Sequence, residues 1–155
     1  MDTISIILLL TTFIHGLQAG LSFDVALVKL PTRHRIGIIP YANFARGNDL
    51  GNGIIVYPIV AISGALLVFT TTIISFIVKQ PPVALYSLYI ASFGTILAFI
   101  TTAKAAPIML SLKNTPNEED VLKQKLKMFE RWHALRTIFQ VISFLALLVA
   151  LLKSK

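Results

Sequence analysis

Apolar residues run through the chain in four long blocks, separated by two long polar stretches and one short turn. A bilayer core of about 30 Å takes roughly 20 apolar residues as a helix, because no backbone N–H or C=O can stay unpaired in hydrocarbon. The blocks predict spans over about residues 4–28, 53–78, 83–106 and 135–152. The first block carries an acidic Asp2 where a signal peptide has a basic region, and its apolar run is too long for one, so it reads as a retained helix. An even number of spans puts both termini and the Lys79-Gln80-Pro81-Pro82 turn on one side and the two long loops on the other. A turn that short predicts an antiparallel hairpin of the second and third spans.

The two loops differ. Residues 29–52 are rich in Gly, Pro and Asn and read as irregular, with Ile36, Ile38, Ile39 and Tyr41 suited to lying on the membrane surface. In the second loop, Thr115-Pro116-Asn117-Glu118 has the pattern of a capping box with Pro at the first helical position. A helix is therefore expected from Pro116, its acidic first turn of Glu118, Glu119 and Asp120 complementing the dipole. Val121, Leu122, Lys125, Leu126 and Phe129 form an amphipathic stripe running into Trp132 and the fourth span. The fold class expected is all-α: one domain over residues 1–155, an integral membrane four-helix bundle with both termini on the same side and an amphipathic helix before the fourth span.

Composition agrees. Charged residues are 14% of the chain against 55% hydrophobic, where a soluble domain has roughly 25% charged. Fourteen Lys and Arg against seven Asp and Glu leave +7, which in a soluble chain would raise nucleic-acid binding. Placement explains the excess instead. Lys29, Arg33, Arg35, Arg46, Lys104, Lys113, Lys123, Lys125, Lys127, Arg131 and Arg136 fall on the loop side, and only Lys79, Lys153 and Lys155 on the other. By the positive-inside rule, loops 29–52 and 107–134 are expected in the cytoplasm and the termini opposite; the basic residues suit anionic lipid, with no nucleic-acid partner expected. The absence of cysteine excludes disulfides, thiolate metal sites and thiol redox chemistry.

Ionisable and polar residues inside spans are candidates for function because burying them is costly. In the fourth helix, His133, Arg136, Gln140 and Ser143 recur at helical spacing on one face beside Trp132. An interfacial Trp132 and a snorkelling Arg136 would explain two of these without function, but not the deeper Gln140. In the first span, His15, Gln18 and Ser22 share roughly one face. His15 is expected to make an interhelical hydrogen bond or to act as a base or ligand. Gly16 and Gly20 read as a small-residue pair for close helix packing. Asp24, Arg46 and Asp49 are expected near His133 and Arg136 at the loop end, where charges of both signs either neutralise one another or line a pocket.

Three histidines, His15, His34 and His133, cannot ligate two bis-His haems. A single bis-His haem is disfavoured because His15 lies about 18 Å, at 1.5 Å per residue, from the Leu27 end of its helix, while His133 lies within about one turn of its own. No cofactor or metal is expected, with a singly ligated haem kept as an alternative. Hydrolase, phosphate-loop and di-iron motifs are absent from the sequence.

Several short motifs resemble the anthrone-oxygenase-like family of small four-helix membrane proteins. His15-Gly16-Leu17-Gln18-Ala19-Gly20 and the following Leu30-Pro31 are similar to its opening span. Gly51-Asn52-Gly53 through Tyr57-Pro58 resembles the start of its second, and Ala106-Pro107-Ile108-Met109 the proline after its third. Trp132-His133-Ala134-Leu135-Arg136 resembles the opening of its fourth, with Ala134-Leu135 where the family pattern carries an Asn. The resemblance implies oxygenation of a flat phenolic or anthrone-type substrate without a recognised cofactor. His133 or His15 would then take a proton, Arg136 would stabilise the enolate and Trp132 would stack on the ring. Gln140, Gln18, Asp24, Arg46 and Asp49 would complete the substrate pocket. The rival expectation is a non-catalytic membrane protein that binds lipid or a partner through the amphipathic 116–131 helix; a homo-oligomer is compatible with either.

Overall fold

The computed structural model describes residues 3–154. Helix α1 (Thr3–Asp24) continues through a wide π turn at 25–29 into α2 (Leu30–Ile36). Helix α3 (Ile38–Gly47) follows, then a second wide turn at 48–52, and α4 (Gly53–Ile77). Helices α5 (Pro82–Ser111) and α6 (Glu119–Lys153) complete the chain. Four continuous helical segments, 3–36, 38–77, 82–114 and 119–153, are long and apolar enough to cross a membrane. Their outer faces carry exposed Phe13, Ile55, Phe76, Phe93 and Leu152, a surface that acyl chains solvate better than water.

Loop 29–52 is helical, contrary to the irregular structure its composition predicts. Gly37, at φ +93°, lets α2 turn sharply into α3, a conformation only glycine adopts cheaply. Tyr41, Ala42 and Ala45 of α3 are then buried against Leu122, Leu126 and Phe129 of α6, with Leu30 and Leu112 completing the cluster. Buried Arg33 on α2 pairs with Glu130 on α6 at 2.6 Å. The apolar stripe of the amphipathic segment is thus covered by the chain's own α3, leaving Lys123, Lys127 and Met128 as its exposed side.

The capping box expected at Thr115 does not form. Its hydroxyl donates to the Ser111 carbonyl at 2.7 Å and accepts from Lys125 Nζ at 2.8 Å, and α6 begins at Glu119 instead of Pro116. Arg46 holds the same connection from α3. It donates to the Leu112 and Thr115 carbonyls at 2.9 and 2.7 Å and to the Asn117 side chain at 2.7 Å, tying the connection after α5 to α3.

Small hydroxyl and amide groups tie the bundle together internally. Thr11 bonds Thr71 between α1 and α4 at 2.8 Å, Thr72 bonds Ser92 between α4 and α5 at 2.9 Å, and Ser143 of α6 donates to the Ala91 carbonyl of α5 at 3.1 Å. Such interhelical bonds contribute roughly 0.6 kcal/mol each on average, enough to select a register when several agree. Close approach is set at Gly64 and Gly94, where an added Cβ would strike the Gln18 amide and the Ser143 hydroxyl. The expected Gly16 and Gly20 pair behaves differently: Gly16 meets only the Phe144 ring, and Gly20 faces open space.

Candidate functional site: a cavity at the loop end of the bundle

A cavity of about 350 Å³ lies between α1, α4, α5 and α6 at the end of the bundle that carries α2 and α3. Its size falls in the range of pockets that hold drug-sized molecules, about 300–1,000 Å³. Most of its wall is apolar, including Val25, Ile54, Pro58, Met109 and Phe129. Ile54, Pro58 and Ile62 of α4 and Phe99 and Leu110 of α5 line it while remaining exposed, so it is open rather than sealed. At the other end of the α4–α5 hairpin, the Thr72–Ser92 bond holds the two helices together.

The polar groups of the wall cluster. Arg136, His133 and Gln140 come from α6, Ser22 and Gln18 from α1, Asp49 from the turn before α4 and Tyr57 from its second turn. Arg136 donates Nη2–H to His133 Nδ1 in a short hydrogen bond. A guanidinium has only donors, so Nδ1 is the acceptor and the imidazole is neutral with its proton on Nε2. That proton is donated to the Ser22 carbonyl at 3.0 Å, which also accepts from the Thr137 hydroxyl at 3.3 Å. The ring also stacks on Phe129, centroids 5.3 Å apart. His133 is fully buried with both nitrogens engaged.

Arg136 is satisfied on one side only. Its Nε is buried without a partner, and no carboxylate lies within 4.0 Å of it among the described residues. Asp49 lies within electrostatic reach but is engaged elsewhere: Asn48 donates to it at 2.8 Å and the Tyr57 hydroxyl stands beside it. Ser22 donates to Gln140 in a short bond, which explains the deep glutamine of the α6 stripe as an α1–α6 tie at the cavity wall. Gln18 donates to the Val60 carbonyl at 2.6 Å.

Below the cavity, a chamber of about 30 Å³ is lined by His15, Thr95 and Ser143 and shares Gln18, Thr102 and Gln140 with it. A water needs about 10–15 Å³ measured this way and two or more polar partners, both of which the chamber supplies. His15 donates Nδ1–H to the Thr11 carbonyl at 3.0 Å and meets the Thr95 hydroxyl through Nε2 at 3.2 Å, an interhelical bond between α1 and α5.

Of the residues singled out from sequence, His133, Arg136, Gln140, Gln18 and Asp49 line the cavity together. His15 lines only the chamber beneath. Asp24 pairs with Lys29 at 3.1 Å, Arg46 clamps the α5–α6 connection, and Trp132 packs against the cluster under α3; none of these three lines the cavity. The ring beside His133 is Phe129, and Tyr57 is the polar wall residue that sequence reading passed over; its place one turn after the Gly53 helix start was the available signal. Neither buried histidine offers a free ring nitrogen to a haem iron in this arrangement, and no group of three metal-ligating side chains occurs among the described residues. No family model, curated protein or solved structure matches the chain.

Proposed function

We propose that this chain is an integral membrane protein that binds a hydrophobic small molecule in the cavity between α1, α4, α5 and α6. The observation that carries the reading is the cavity itself: an open, mainly apolar space of about 350 Å³ whose polar groups gather around one under-satisfied arginine. Such a wall suits a ligand with an apolar body and a polar end. Because exposed residues of α4 and α5 form part of it, the ligand comes from the hydrocarbon phase rather than from water. The eleven basic residues at the loop end support a cytoplasmic placement of that end. Native mass spectrometry of the protein released from lipid discs tests the reading. One hydrophobic molecule per chain is expected on the wild type and a clear loss of occupancy on Ala106→Trp, whose indole intrudes into the cavity; equal occupancy of both would overturn it.

Proton-transfer or oxygenase-like chemistry on an aromatic ligand is the finer reading, and one observation favours it. A ligand oxygen that draws Arg136 toward itself would release Nδ1 of His133, so substrate arrival would uncover the base and supply the group that stabilises an enolate. Docking of a partner on residues 116–131 has less support, since their apolar stripe is already buried under α3.

A further inference from the structure

We propose that the ligand of this cavity carries an anionic oxygen head, of which a carboxylate is the simplest form, and that Arg136 is the group that recognises it. The inference rests on the small-molecule reading above and specifies the chemistry of the ligand's polar end.

Three features of the wall lead to it. A buried guanidinium is normally matched by hydrogen bonds and a counter-charge, because uncompensated charge away from water is costly. Arg136 has one bond, to a neutral imidazole, and a buried Nε–H with no acceptor. Asp49, the one acid lining the cavity among the described residues, accepts from Asn48, stands beside Tyr57 and makes no ion pair with Arg136 within 4.0 Å. The vacant function is therefore an acceptor bearing negative charge, and a planar two-oxygen head matches the flat edge of a guanidinium. His133 acts as a positioning residue: held by the Ser22 carbonyl and the Phe129 ring, it fixes Nη2 of the guanidinium in the unliganded chain, and Arg136 lines the cavity where a ligand oxygen can compete for it. The apolar wall then accommodates the ligand's body.

A fluorescent polyene fatty acid and its methyl ester, titrated into the full chain in neutral phosphatidylcholine discs, separate head from body. The acid is expected to bind saturably and about tenfold or more tighter than the ester, the worth of one charged hydrogen bond. Arg136→Gln should remove that preference while ester binding persists. Should that variant not fold, Asp49→Asn provides the opposite sign: removing the nearby negative charge should tighten acid binding by about threefold or more and leave the ester unchanged. Equal binding of acid and ester by the wild type would overturn the anionic-head proposal and leave the small-molecule reading standing. Absence of saturable binding by either would overturn both. Repeating the titration with anionic phospholipid in the discs identifies the source of the head. Competition assigns it to a bilayer lipid, and unchanged binding to a free acid; both outcomes retain the anionic-oxygen site.

Discussion

Arg136 and His133 explain each other. The guanidinium can only donate, so it selects the Nε2-protonated neutral ring, and the carbonyl of Ser22 fixes that ring from the opposite side. ¹⁵N NMR of labelled His133 is therefore expected to show a protonated Nε2 and an unprotonated Nδ1. Should the ring carry its proton on Nδ1 instead, the arrangement of donors at the cavity wall is wrong. Residue-scale reading of the sequence found the stripe of His133, Arg136, Gln140 and Ser143 because helical spacing places them on one face. It could not find Asp49 and Tyr57 as their neighbours, since that depends on how the turn at 48–52 sets α4 against α6. Nor could spacing tell that Arg46, equally charged and equally near the loop end, is consumed by the carbonyls after α5.

At the scale of elements, the four spans and the tight α4–α5 hairpin were legible because hydrocarbon admits so few backbone solutions. Loop 29–52 was not. Its turn-forming residues point to irregular structure, yet burial of Tyr41, Ala42 and Ala45 on α6 outweighs local propensity, and one glycine at positive φ provides the corner. The packing glycines were also misplaced by sequence motif: a Gly-x-x-x-Gly pair shows which residues are small, whereas the partner helix decides which of them matter. Gly64→Ala, whose methyl group displaces the Gln18 amide from its bond to the Val60 carbonyl, is expected to cost about 1 kcal/mol, and Gly20→Ala less than about 0.5 kcal/mol. Thermal unfolding of the two variants in the same detergent compares them directly. Equal loss in both would mean that α1 approaches its neighbours differently.

Over the whole molecule, polar residues are divided between two purposes. From Thr11 to Ser143, most bond across helices and hold a bundle whose outer surface is apolar. Around Arg136 the bonding is incomplete, and there the helices stand apart to leave a cavity open toward the exterior. A bundle shaped only for stability would close that space, since empty apolar volume forfeits packing contacts. Occupancy of the cavity by a hydrophobic molecule is the central claim, and photolabelling tests it most directly. A lipophilic diazirine probe, activated on the full chain in lipid discs, is expected to label Tyr57, Met109 and Phe129 inside the cavity, with labelling there clearly reduced by Ala106→Trp. Label confined to outward-facing positions such as Phe13, Phe76 and Leu152, unchanged by that substitution, would contradict it.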